Sequence, residues 1–362
     1  MTVLHRLFVS GSDRSCDRWH RDYRIDDVDN LKLHHLYRAM AFLGEETDDS
    51  NDADEVDKLV PLSPRCVKDR IEEQLFENRR DLFSSLDFVF FDTTSIYFEG
   101  NGGNSLGHKG YSKDHRPDLN QMIVGAVLDN QGNPICCEMW PGNTADVTTL
   151  IPVTRRLRDR FGVGQFCLLA DRGMISTDNR QHLDQHEISY ILGARMRRVN
   201  EIKHEVLKDT GDYQEVYPER PESHAPSPLN VKEVMVNGRR YIVCLNEKQA
   251  RKDAADRQVI VESLQAKLEY NPKALIGNKG YRQYVNLDGG HVHIDQQKID
   301  DDARYDGKWV LQTNTSLPAN EVALKYIEDN GKSLAIRSEC LGVCGKVFQA
   351  VGVALPPTIR EL

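Results

Sequence analysis

No apolar run in this sequence is long enough to span a bilayer, and the start of the chain has no secretory hydrophobic region. The sequence therefore gives no sign of a membrane protein or of export. Its eight cysteines are scattered (Cys16, Cys66, Cys136, Cys137, Cys167, Cys244, Cys340 and Cys344), and several lie in apolar runs. That usage fits reduced thiols in a cytoplasmic protein better than a disulfide framework. Cys340 and Cys344 lack the second ligand pair that a zinc site needs. A basic excess is also missing. The net charge is −9, which by itself argues against nucleic acid. The deficit is local, however. Residues 45–57 hold eight acids and no base. Residues 151–205 carry ten Lys and Arg against seven Asp and Glu, so a basic face is still possible.

What the chain does have is ordinary globular composition, 39% hydrophobic and 28% charged over 362 residues. That length is enough for two or three domains, or for one domain carrying an insertion. Two stretches have the same design. In residues 86–100, Leu86 and Phe88 to Phe91 form an apolar strand with Asp92 inside it. In residues 166–176, Phe166 to Ala170 form a shorter strand, Asp171 follows and Gly173 breaks it. An Asp at a strand end can also serve as a helix cap or turn former. Two of them in one context point to a divalent-cation site, where neighbouring strands bring carboxylates together. Mg²⁺ or Mn²⁺ suits such oxygen ligands, and a held metal pair can activate a water or a 3′-hydroxyl at a phosphodiester.

The remaining pattern is read in order. Residues 33–43 predict a helix with Leu33, Leu36, Tyr37, Met40 and Leu43 on one face. Residues 64–83 predict another, with Val67, Ile71, Leu75 and Phe76 as its apolar face. Residues 107–121 form a glycine-punctuated basic loop, and Lys109, Lys113 and Arg116 could track a phosphate backbone there. A hairpin with its turn at residues 130–134 follows, then a helix capped by Asp146 or Thr148. The arginines of residues 155–160 read as an exposed helix face. From 200 to 305 the texture becomes β-rich, with an Asn237-Gly238 hairpin turn and a long charged helix. A mixed sheet flanked by helices is the economical packing of this order.

Five motifs, FFDTTSIYFEG, GYSKDHRPDLNQ, PGNTAD, LADRGM and GKWVLQTNT, resemble in order and spacing the DDE transposases of bacterial insertion sequences, in the IS-four-like group. The resemblance covers most of residues 1–326. It implies an RNase H-like catalytic fold interrupted by a β-rich insertion, and Mg²⁺ ions, with Mn²⁺ as substitute. It also implies cut-and-paste movement of a double-stranded DNA element, by a homodimer on DNA that engages element ends and target. Asp92 and Asp171 take the places of the first two catalytic, metal-binding carboxylates. The expected organisation is a helical N-terminal region at 1–84 with an acidic linker at 45–60, and the first part of the catalytic domain at 85–199. An insertion at 200–305, a return at 306–326 and a divergent tail at 327–362 complete it.

The family's third carboxylate is a Glu on a helix after the insertion. It belongs to a signature of Tyr, two residues, a basic residue, three residues, Glu, six residues, Lys. Counting from Tyr326, those positions hold Asp329, Ser333 and Cys340. The tail offers no amphipathic helix of the expected kind. The sequence thus reads as a member truncated at both ends, with the chemistry of this copy lost. Two rivals stand beside it: an RNase H-like nuclease without strand transfer, and a non-catalytic remnant that binds DNA or oligomerises.

Overall fold

A computed structural model describes residues 1–9, 11–26, 28–47, 66–80, 86–98, 106–111, 116–217, 228–270, 283–288 and 291–335. Two compact units are present, residues 1–192 with 328–362, and residues 193–327. Most of the acidic linker and the Lys113 position lie outside the described residues.

The first unit is built on a five-stranded mixed sheet. Its strands are β1 (Phe88–Tyr97), β2 (Gln121–Leu128), β3 (Pro134–Pro141), β4 (Cys167–Ala170) and β5 (Ser189–Gly193). The spatial order is β3-β2-β1-β4-β5. The first three are antiparallel, and β1, β4 and β5 run parallel. This is the RNase H-like mixed sheet that the resemblance implies. β1 and β4 are rich in aromatic and aliphatic residues because the centre of such a sheet is covered on both faces.

Among the described residues, seven α-helices belong to this unit wholly or in part. They are α1 (Thr2–Phe8), α2 (Asp13–Trp19), α3 (Leu33–Leu43), α4 (Val67–Arg79), α5 (Leu150–Asp159), α6 (Thr177–Gln185) and the end of α10 (Ala319–Ala335). Side chains alternate across a strand. Val89 and Phe91 of β1 therefore face one core with Ile123, Leu168 and Ala170. Phe76 of α4, Leu150, Val153 and Leu157 of α5 and Leu183 of α6 cover that core. Met122, Val124, Met139 and Ile96 face the other side, where Met40 and Leu43 of α3 pack.

The second unit contains α7 (Asn200–His204), β6 (Gln214–Val216), β7 (Leu229–Val236), β8 (Arg239–Leu245) and α8 (Glu247–Tyr270). It continues with β9 (Val285–Asp288), β10 (His291–Ile294), α9 (Gln296–Ala303), β11 (Lys308–Thr313) and most of α10. β11, β8, β7 and β6 are antiparallel neighbours in that order. Asn237 (φ 50°) and Gly238 (φ 73°) turn β7 into β8, as a two-residue hairpin of the mirror-image type requires.

Three local expectations differ from the structure. Helix α4 does not dock by its apolar residues alone: Ile71 and Leu75 are exposed, and Asp69 is buried. The α5 arginines are not all on an exposed face. Arg156 is buried, pairing with Asp69 at 3.0 Å, with Glu72 at 3.2 Å and with Glu138 of β3. Lys68 completes the cluster, 2.7 Å from Asp69 and 3.0 Å from Glu72. Burial pushes the Asp69 carboxyl up, but Lys68 and Arg156 outweigh it and hold the group at about 2. Third, α5 is capped by neither Asp146 nor Thr148. Those residues bound a short 3₁₀ turn, and the helix begins after Thr149. Helix α10 also extends to Ala335, so the backbone at position 333 is helical. Propagating an existing helix avoids the nucleation cost that an isolated tail would meet.

His182 of α6 is buried against α5, with Nε2 3.2 Å from Thr154 Oγ1. The Thr154 hydroxyl donates to the Ile151 carbonyl, so His182 Nε2–H is the donor of the pair. Burial first, then His186, Arg155 and Arg158, lower its pKa from 6.5 to about 4. Between those values the unfolded chain binds the extra proton. The stabilising effect is therefore full above the ordinary His value and is lost as the pH falls towards the folded one. Denaturant titrations should show a loss of roughly 2 kcal/mol between pH 7 and pH 5 in the wild type. His182→Gln should flatten that slope; an equal slope in both proteins would assign it elsewhere.

Candidate active site

In the parallel pairing of β1 and β4, Phe90 lies opposite Leu169 and Phe91 opposite Ala170. Asp92 is the next residue within β1, and Asp171 the first residue past the end of β4. Neighbouring strands run about 4.8 Å apart, so the two backbones carry these residues side by side. Phe91 and Ala170 face the core under α5 and α6. Alternation turns Asp92 to the opposite face of the sheet. Asp92 and Asp171 are both half-buried. The register thus sets the residues just before Asp92 and Asp171 opposite one another on adjacent strands.

Their surroundings differ. Asp92 lies within a continuing strand, opposite Ala126 of β2, and its Oδ1 accepts the Thr93 N–H at 2.8 Å. Asp171 lies just past the end of β4 and opens a turn. Its carbonyl accepts the Met174 N–H at 2.9 Å, and its Oδ1 accepts the Arg172 N–H at 2.7 Å.

Asn179 fixes this turn. It is buried, and its side-chain amide donates to the Met174 and Val147 carbonyls, at 2.7 Å in each case. The Asp171 turn is thereby tied to the 3₁₀ turn Asp146–Thr148. A Cβ placed on Gly173 would lie 3.5 Å from Asp146 Oδ2, so a third carboxylate borders the turn. Sequence reading weighed Asp146 only as a cap, although the motif PGNTAD contains it. Asn179 had no sequence signal, because one amide on a polar helix looks like any other.

The chemistry of the two residues fits a hard divalent cation, since each offers carboxylate oxygens only. Among the described residues no set of three His, Cys, Asp or Glu side chains converges as a metal cluster. The side chains at 328 and 333 lie outside the described residues.

Of the basic-loop residues, Lys109 is exposed. Arg116 is exposed as well, pairs with Asp118 through two bonds of 3.0 Å and lies 5.5 Å over the Tyr97 ring. Tyr97 is the last residue of β1, so this loop borders the end of the strand that carries Asp92. No described helix is long and apolar enough to cross a membrane.

The first unit is thus an α/β domain with a helix-flanked mixed sheet, Asp92 lying within β1 and Asp171 directly after β4. The family follows from sequence: the model of the Transposase DDE domain family matches residues 84–326, more than half of the chain, and the protein belongs to that family. No match was found among curated proteins. Two solved structures are distantly similar. One is the piggyBac transposase synaptic complex with hairpin DNA, at 11% identity and a TM-score of 0.40, covering 98% of this chain and 73% of that one. The other is a pre-cleavage Mos1 transpososome, at 13% identity and a TM-score of 0.20, covering 50% of this chain and 58% of that one.

Proposed function

We propose that the chain is a DNA transposase of the IS-four-like group, with Asp92 and Asp171 as its first two catalytic carboxylates. The observation that carries this reading is the β1–β4 register, which pairs Phe91 with Ala170, the residues that precede Asp92 and Asp171, in a domain of the transposase family. Asp92 and Asp171 would hold Mg²⁺, or Mn²⁺ in its place. When bound, such ions supply activation of a water or 3′-hydroxyl and stabilisation of the leaving oxygen. Asp92 sits on a rigid central strand, and the Asn179 clamp holds the turn of Asp171, so both carboxylates are positioned before any ligand arrives. Lys109, Lys113 and Arg116 contact the phosphate backbone of double-stranded DNA, and the protein acts as a homodimer on element ends and target, in the cytoplasm. Residues 85–199 and 306–326 form the catalytic domain around a 200–305 insertion.

This copy is catalytically impaired. Two carboxylates hold and neutralise a metal pair less well than three, and the neutral Ser333 hydroxyl is a poor substitute at the third place. The test uses a DNA fragment carrying the element's ends, with Mg²⁺ and then Mn²⁺. Expected are salt-sensitive binding and strand cleavage several orders of magnitude below that of an intact relative. A Lys109, Lys113 and Arg116 triple alanine variant should lose about one unit of salt slope per phosphate contact. Site-specific nicking that Asp92→Ala abolishes would overturn the impairment and reveal a third ligand elsewhere. Absence of DNA binding would overturn the transposase reading.

A further inference from the structure

The loop that carries Lys109 also carries Tyr111, which is 87% exposed. A side chain that open gains little from its apolar ring in the folded protein. Its backbone, in contrast, is held firmly. Gln121, buried at 1% exposure, donates from its side-chain amide to the Tyr111 carbonyl at 3.1 Å and to the Gly142 carbonyl at 2.9 Å. His108 and Gln121 exchange both backbone bonds, at 3.1 and 2.9 Å. Gly142 donates to the Leu106 carbonyl at 3.0 Å. A Cβ on Gly110 would collide with the Gly142 carbonyl oxygen, and a Cβ on Gly142 with the Gln121 carbonyl oxygen. The two glycines thus let three backbone segments meet with no side chain between them. The result is an exposed aromatic ring on a rigid mount, at the end of the sheet where β1 finishes.

We propose that Tyr111 is a stacking platform for an unpaired base of a bound DNA strand; the proposal rests on the DNA-binding reading above. Three features support it. An aromatic face stacks on any base and needs no hydrogen-bond code, which suits a protein that must engage varied target DNA. Exposed Lys109 precedes the ring in sequence and offers positive charge to a phosphate beside such a base, while Arg116, which follows it, is paired with Asp118. The rigid mount means that little backbone entropy is lost on binding, the condition under which a single aromatic anchor contributes most. The motif GHKGY then has a division of labour: Gly110 lets the backbone close against Gly142, Lys109 meets phosphate and Tyr111 meets the base.

The test compares two probes on the full chain, a blunt DNA duplex and the same duplex with a short single-stranded overhang containing 2-aminopurine. The wild type should bind the overhang probe roughly tenfold more tightly, the scale of one base-aromatic stack. Tyr111→Ala should bring that ratio close to one and remove the 2-aminopurine fluorescence change. Tyr111→Phe and Tyr111→Trp should keep both. Lys109→Ala should lower affinity for both probes and reduce the salt slope, leaving the ratio in place. An undiminished ratio in Tyr111→Ala overturns the proposal. So does equal loss in Tyr111→Phe, which would mark a hydroxyl hydrogen bond in place of stacking. A wild type that binds neither probe overturns the DNA-binding reading itself, and the stacking proposal falls with it.

Discussion

Arg156→Met is expected to destabilise the protein by about 3–5 kcal/mol, the largest stability loss of any single substitution considered. Arg156 is 4% exposed and pairs with Asp69, Glu72 and Glu138, which come from α4 and β3. Removing the cation leaves buried carboxylates around Lys68, and the unpaired members keep their desolvation penalty. Glu72 already shows the strain. Burial raises its pKa despite Lys68 and Arg156, whereas the same two cations keep Asp69 at about 2. The two acids move in opposite directions because Lys68 and Arg156 act more strongly on Asp69, while burial dominates at Glu72.

The pH dependence follows from Asp69. Its folded value lies below the ordinary 3.8, so its contribution is present above that value and is lost as the pH falls towards 2. In Arg156→Met the Asp69 value should rise, and acid unfolding should begin at higher pH. Urea titrations across the acid range measure both effects. A loss under about 1 kcal/mol would mean that the cluster is screened like a surface pair.

Asp92→Asn and Asp171→Asn are each expected to weaken Mn²⁺ binding on the order of a hundredfold, since each removes one charged oxygen ligand from a site with few of them. Asparagine keeps an oxygen for the Thr93 N–H that Asp92 Oδ1 accepts at 2.8 Å, so the Asp92 variant should fold and melt like the wild type in metal-free buffer. Titration calorimetry or the Mn²⁺ electron paramagnetic signal reads the affinity, and thermal unfolding without metal reads the fold. Unchanged Mn²⁺ affinity in both variants would remove these residues from the metal site. Loss in one alone would show that the partner carboxylate comes from elsewhere, with Asp146 the first residue to examine.

Asp92 and Asp171 stood out in the sequence because an acid in an apolar run conflicts with its surroundings. The strands, the Asn237-Gly238 hairpin and the long charged helix were legible for a different reason. Each depends on periodicity or turn chemistry within a short window. Helix α4 shows where that signal stops. Its apolar spacing was clear, yet Ile71 and Leu75 ended exposed, because Arg156 of α5 offered its acidic side a buried partner.

The sequence by itself therefore determined the elements, the two acids and the family motifs, which are encoded locally. Only the tertiary structure decided which face of α4 is buried, that Asn179 ties the Asp171 turn to Asp146, and that Gln121 fixes the mount of Tyr111. Those contacts join residues far apart in the chain. Hydrogen bonds and ion pairs are satisfied by whichever partner folding brings near, and no local pattern names that partner.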